Sequence, residues 1–277
     1  NFTGIRIMGV FQNNLLAGAA AAASAGGGAF YSHQIEQSAR FDRASSSYLT
    51  WTPSSAPSSD KIFTLSCWVK RSGQGNAVET IIGADDSSAG KYNVLVFQAS
   101  SGAEDLTHQI AGGGAVSSLT ADNAFRDTGG WNHIVWRVDT TDGTAGNRNR
   151  LYLNGNLTTS KSGSQPSQNA TLDWNSNAEQ QFVGLFGDGS SHAFDGYLAE
   201  VINCDGQSYA PTQFGETKNG VWIPKDPTGT TFGTNGFHLK FENASDLGND
   251  SSGNNNDLTP NNMGTDHQVL DSPTFGS

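Results

Sequence analysis

Charge and thiols are scarce in this chain of 277 residues. Only 15% of residues are charged, Lys and Arg number 15 against 26 Asp and Glu, and there are two cysteines. A formal net charge of −11 argues against nucleic acid as a partner, because affinity for phosphates rests on Lys and Arg. No Cys/His spacing reads as a zinc site, no HExxH occurs, and no serine sits in a nucleophile elbow. The histidines (His33, His108, His133, His192, His238 and His267) are dispersed along the chain. Helical periodicity is absent beyond the first forty residues, and no strongly apolar run reaches membrane-spanning length.

Glycine is what the chain has in quantity: 34 residues, accompanied by abundant Ser, Thr and Asn. This composition predicts many short strands joined by turns, an all-β chain with one core. The stretch from Gly130 to Gly155 carries the strongest local signal. GGWNHIVWRVD, a Gly/Asn-rich break and RLYLNGN read as antiparallel strands, closed by Asn154-Gly155, a dipeptide that takes positive φ cheaply. KIFTLSCWVKRS reads as a strand with Phe63, Leu65, Cys67 and Val69 on one face, and SARFDRASSSYLTW as an edge hairpin. Further strands are expected in ETIIGA, KYNVLVFQAS, LTHQIAG, QFVGLFG and FDGYLAEVINCDG. Their recurrence predicts a two-sheet antiparallel jelly-roll sandwich.

Three segments are marked by the changes in composition. Residues 1–38 include a charge-free, Ala-rich run predicted to form a helix over about 11–25 and stopped by Gly26-Gly27-Gly28. Residue 1 is not Met, and Met8-Gly9 offers a translation start. The run fits a secretory signal only in part, and it is too rich in Ala and Gly to favour membrane contact. Leu15 and Leu16 with the small residues Gly18 and Ala22 suit an anchor or oligomerisation segment, against the alternative of a disordered tail. Residues 39–207 form the sandwich, and 208–277 a loop-rich extension packed on it, with a strand at Gly236 to Phe241.

The candidate chemistry is thin. Asp195, Glu200 and Asp205 on FDGYLAEVINCDG are five residues apart, so strict strand alternation sends them to opposite faces and denies a glycosidase its carboxylate pair. The chain is therefore expected not to be an enzyme. Trp174, flanked by Asp173 and Asn175 on a predicted loop, is the candidate sugar platform, with His192 counted beside it. Trp68, Trp131 and Trp136 are expected to pack. Asp246, Asn249, Asp250, Asn254 and Asp257 in DLGNDSSGNNND supply oxygen ligands that could hold Ca²⁺, but the same side chains could instead cap turns. Cys67 and Cys204 lie on separate strands, which leaves open both a disulfide and two buried thiols.

FTLSCWVK, GWNHIVWRVD, RLYLNGN and FDGYLAEV, in this order and spacing, resemble the laminin-G-like, or concanavalin-A-like lectin/glucanase, superfamily over about residues 39–207. The resemblance implies a Ca²⁺ site near Asp188 and Asp195. Pentraxins have a cysteine placed like Cys67 but a different partner, so the resemblance does not imply a Cys67–Cys204 bond. The tail segments AEVINCDGQSYAPTQFGETKNGVWIPKDPTG and GTNGFHLKFENASDLGNDSSGNNNDLTPNN resemble virion proteins of marine and aquatic bacteriophages. That implies a fibre, spike or capsid appendage at the virion surface, which contacts host-surface glycans. Other virion proteins and further copies of the chain, preferably in a trimer, would be its partners. A decoration protein that binds no sugar and a secreted bacterial carbohydrate-binding module are the alternatives.

Overall fold

The computed structural model describes residues 30–274 apart from 74–77, 87–90, 101–102, 113–114, 126 and 188–190. The helix predicted over 11–25, the assembly residues Leu15, Leu16, Gly18 and Ala22, and Asp188 lie outside the described residues. In chain order the strands are β1 (Ser38–Phe41), β2 (Tyr48–Trp51), β3 (Ile62–Arg71), β4 (Glu79–Asp86), β5 (Lys91–Ser100) and β6 (Ala103–Gly112). They continue as β7 (Ala115–Ala124), β8 (Asn132–Asp139), β9 (Asn149–Leu153), β10 (Asn156–Leu157), β11 (Ser160–Ser162) and β12 (Gln181–Val183). The last are β13 (Gly196–Asp205), β14 (Gly215–Lys218), β15 (Val221–Pro224), β16 (Phe237–Leu239), β17 (Thr259–Asn261) and β18 (Gln268–Val269).

Two antiparallel sheets form the sandwich. The first runs β10-β9-β8-β3-β13-β1-β18, with β16 also paired to β13; the second runs β11-β7-β6-β5-β4-β12-β2-β17. Alternation along β3 turns Phe63, Leu65, Cys67 and Val69 into the core, where they meet Ile134, Trp136 and Val138 from β8 and Leu95, Phe97 and Leu106 from the second sheet. Each such side chain, once buried, contributes about 1.5–3 kcal/mol.

The first sheet is buried on its other face as well. There Val135, Ile202, Cys204 and Phe214 pack with Tyr152, Tyr209 and Phe232, while Ile35, Trp68 and Ala199 pack with Trp131 and Trp222. Residues 208–232 and the segment around Ile35 therefore cover that face. The tail also adds β16 and β18 to the first sheet and β17 to the second.

Three local readings change and one open alternative is settled. SARFDRASSSYLTW is not a hairpin: β1 pairs β13 and β18, whereas β2 pairs β12 and β17 in the opposite sheet. The turn between them is closed by Ala44 N–H donating to Asp42 Oδ1 and by Ser46 at φ +51°, so Phe41 and Leu49 both point into the core from opposite sides. β7 has no counterpart among the expected strands, since its sequence AVSSLTADNA carries few large apolar residues.

The cysteines are not bonded: Cys67 and Cys204 are both free and buried. Although β3 and β13 are neighbours, Cys204 is opposite Thr64 and Cys67 is opposite Ile134, so one thiol faces the core and the other the tail. Finally, β13 carries a bulge between Ala199 and Ile202, with Glu200 at φ +46°. The extra residue breaks the strict alternation assumed for Asp195, Glu200 and Asp205.

Candidate functional site

The sugar platform read from the sequence is buried. Trp174 is 1% exposed, and its indole N–H donates to Asn203 Oδ1 at 3.0 Å. The backbone N–H groups of Asp173 and Trp174 both donate to Asn93 Oδ1, at 2.6 and 2.7 Å, and Asn175 Oδ1 accepts from Asn203 Nδ2. LDWNSN is thus a polar plug closing one part of the sandwich, because the amide oxygens of Asn93, Asn175 and Asn203 accept from groups that burial has stripped of water, while Nδ2 of Asn93 and of Asn175 finds no partner among the described residues. His192 is elsewhere, exposed at φ +57° with its ring edge-on to Phe186. These four residues do not form a site.

The calcium loop is likewise committed to its own backbone. Asp250 accepts from the N–H groups of His238, Ser252 and Asn256 and from the Ser252 hydroxyl, and Asp257 Oδ1 accepts from Asp250 N–H. Asn254 Nδ2 donates to the carbonyls of Gly233 and Gly236, and Asp246 and Asn249 sit in a backbone-bonded turn. Four donors fill the acceptor positions of the Asp250 carboxylate, so this loop fits a set of Asx caps and does not fit a cation cage. Asp195 contributes its carbonyl to Ser72 N–H. Among the described residues, no group of three or more His, Cys, Asp or Glu side chains is placed to hold a metal ion.

A different place gathers aromatic and amide groups. The β9–β10 connection is a two-residue turn with Asn154 at φ +46° and Gly155 at φ +79°, the geometry of a type I′ hairpin. The β14–β15 hairpin repeats it with Asn219 at φ +53° and Gly220 at φ +81°. Thr217 and Trp222 are direct cross-strand partners on β14 and β15, so both lie on the same side of that ribbon. Trp222 rests against Gly155 and Gly215: a Cβ at Gly155 would lie 2.5 Å from its ring, and one at Gly215 closer still. The open groove between the two hairpins, about 430 Å³, is lined by Trp68, Trp131 and Trp222, by Asn154, Asn156 and Thr217, and by Gly220 and Val221.

Each aromatic is fixed from behind. The Trp131 indole N–H donates to Asp271 Oδ1 at 3.1 Å, and Asp271 Oδ2 accepts from Lys70 Nζ at 2.7 Å. The Trp222 indole N–H donates to His133 Nδ1 at 3.0 Å, and the imidazole lies stacked between Trp68 at 4.8 Å and Trp222 at 6.0 Å. Burial lowers the His133 pKa to about 3, so the ring is neutral at ordinary pH. Because Nδ1 accepts from Trp222, the proton is on Nε2 and is donated to Ser66 Oγ at 2.8 Å. In this tautomer His133 cannot take the Ser66 proton, and Ser66 is itself buried, so the pair braces the groove rather than forming a nucleophile and base.

Further along the same outer face, Glu200 Oε1 meets His33 Nε2 at 3.1 Å and His238 Nε2 at 3.3 Å. Burial favours the protonated carboxyl, but the two histidine contacts outweigh it and hold Glu200 down at about 2, while the carboxylate raises His33 against its own burial. The bulge at Glu200 makes this contact and ties the segment before β1 to the sheet.

The sequence contained Trp131, the two Asn-Gly turns and Trp222, but nothing in it brought residues 131, 154–156 and 217–222 together. The repeated Asn-Gly turn, each beside an aromatic-bearing strand, was the available signal.

The two antiparallel sheets form a jelly-roll β-sandwich. The family model of the concanavalin A-like lectin/glucanases superfamily matches residues 43–202, and the chain belongs to that superfamily. No curated protein matches the sequence. Among solved structures, the chain is similar to the native heptameric SAP-like pentraxin of Limulus polyphemus, at 13% identity over 66% of this chain and 82% of that one, TM-score 0.43. It is also similar to domains LG4-5 of mouse laminin alpha1, at 10% identity over 73% and 47%, TM-score 0.45. A third is the enzymatically active domain of tailspike protein 2 of bacteriophage CBA120, at 14% identity over 61% and 25%, TM-score 0.45. The chain spans less than half the length of the last two.

Proposed function

We propose that this protein is a non-enzymatic glycan-recognition module whose site is the groove between the β9–β10 and β14–β15 hairpins. The observation that carries the reading is the meeting of part-exposed Trp131 and Trp222, with buried Trp68 beneath them, and Asn154, Asn156 and Thr217 on one open groove. The C–H face of a sugar ring packs on an indole, and its hydroxyls exchange hydrogen bonds with amides and hydroxyls at the edge of the ring. Among the described lining groups there is no carboxylate, imidazole, amine or thiol to activate a nucleophile or protonate a leaving group, so the arrangement suits binding without turnover.

The tail sequence, from FGETKNGVWIPKDPTG to NDSSGNNND, extends the proposal to a surface part of a bacteriophage virion that meets host glycans. That tail builds half of the groove, since Thr217 and Trp222 belong to it. The resembling segment would then be kept for recognition as well as for packing.

A glycan array probed with the wild-type chain and with Trp131→Ala tests the site. Trp131 is part-exposed, so the variant is expected to remain folded and to lose at least tenfold in binding, about 1.4 kcal/mol. Unchanged binding by the variant would remove the groove from consideration. Mass spectrometry of purified particles tests the virion assignment. Incorporation into particles without binding to any glycan would leave the decoration role instead.

A further inference from the structure

The chemistry of the groove narrows its ligand, on the premise that the glycan reading above is right. A second depression of about 200 Å³ adjoins the first; the two share Asn154 and Asn156, and the second continues to Leu157 and Thr158 beside β10. Among the described residues, no charged side chain lines either one.

The charges nearby are directed away or matched. Alternation along β14 turns Thr217 into the groove and Glu216 away from it, where Glu216 accepts from the Ser32 hydroxyl; Lys218, paired with Val221 at the end of the groove, carries its Nζ to 5.9 Å from the Phe30 ring centre. Behind Trp131, Asp271 is paired with Lys70. Both indole N–H groups of Trp131 and Trp222 are already used inward. A carboxylate or sulfate entering here would shed water and find no cation in exchange, a cost that a hydroxyl-rich neutral ring does not meet.

The polar groups left for a ligand sit where the depressions join. Asn156 Nδ2 donates to Asn154 carbonyl, but Asn156 Oδ1 and the Thr217 hydroxyl have no partner among the described residues. The Asn154 amide is held by His133 N–H and Asn132 Oδ1, which fixes its orientation at the junction. We infer that the groove takes an uncharged oligosaccharide laid across both depressions, with one sugar against the tryptophans, the next beside Leu157, and Asn154 and Asn156 at the link between them.

Titration of the full chain with neutral saccharides of one to four residues (the cellulose, starch and chitin series, together with neutral hits from the array) and with sialyllactose and oligogalacturonate tests this. The expected result is affinity that rises about tenfold or more from one sugar to two or three, with acidic probes of the same length at least tenfold weaker. Raised salt should leave the neutral affinity unchanged. Leu157 is 52% exposed, so Leu157→Glu should keep the fold and abolish the gain with length while leaving monosaccharide-level binding. If acidic probes bind as well as or better than neutral ones, or if one sugar binds as well as three, and Trp131→Ala removes that binding, the inference falls and the glycan site stands. If none of these probes nor any array glycan binds, both fall.

Discussion

Replacing Gly155 by alanine should cost more than replacing Gly220 by alanine, and the difference should vanish when Trp222 is removed. Both glycines are the second residue of an Asn-Gly turn, at φ +79° and +81°, so each alanine incurs the same backbone strain, about 1–2 kcal/mol. Their surroundings differ. Nothing lies within 4 Å of a Cβ placed at Gly220, whereas at Gly155 it would stand 2.5, 2.6 and 2.8 Å from Cζ3, Cε3 and Cη2 of Trp222.

The indole cannot simply retreat. Its N–H is held by His133, and Gly215 packs against its other atoms. Overpacking of this kind adds roughly 1–3 kcal/mol, which separates the two variants by about 2–12 °C in Tm for a domain of this size. Urea denaturation of the full chain, followed by circular dichroism, gives the four corners of a cycle made from Gly155→Ala and Trp222→Ala. The coupling should be about 1–3 kcal/mol, with the cost of Gly155→Ala in the Trp222→Ala background falling to that of Gly220→Ala. Equal costs for the two glycines with Trp222 in place, or an excess at Gly155 that survives its removal, would refute the account of how the groove is seated.

Two other outcomes are expected from the same structure. Burial lowers His133 to about 3 and, opposed by its bond to Asn149, His108 to about 4, so at these two rings the unfolded chain binds more protons than the fold below pH 6.5. The stability that depends on these two rings should be fully present above pH 6.5 and fall by about 1.4 kcal/mol per pH unit for each ring toward those values; a urea midpoint that is flat from pH 7 to pH 4.5 would contradict this. Asn93→Ala leaves the buried N–H groups of Asp173 and Trp174 without their acceptor and should cost about 2–5 kcal/mol, while the glycan binding proposed for the groove on the first sheet is retained in the folded fraction. A cost below about 1 kcal/mol would mean that the plug is not what closes that part of the sandwich.

Much of the architecture was open to reading because strands are periodic. The Phe63, Leu65, Cys67, Val69 set faces the core as its spacing requires, and Asn154-Gly155 makes the turn that its positive-φ preference favours. The reading failed where a local rule was overruled by distant contacts. Trp174 looks like an exposed loop aromatic from LDWNSN alone, yet Asn93 and Asn203, about 80 and 30 residues away, satisfy its polar groups and allow it inside. The bulge at Glu200 could not be inferred from FDGYLAEV, because a single inserted residue has no compositional mark.

By itself, the sequence determined the class of fold and its inner face, since hydrophobic alternation and turn chemistry act over a few residues and need no partner. Which strand joins which sheet was decided only in the tertiary structure: β1 and β2 part at the Asp42–Ser47 corner, and the cysteines of neighbouring strands turn to opposite faces. The groove belongs to the same category. Trp131, Asn154 and Trp222 come together only because the tail folds back over the outer face of the first sheet and sets one Asn-Gly hairpin against another. Such long-range closure depends on the whole hydrophobic surface being buried, and no window of the sequence contains it.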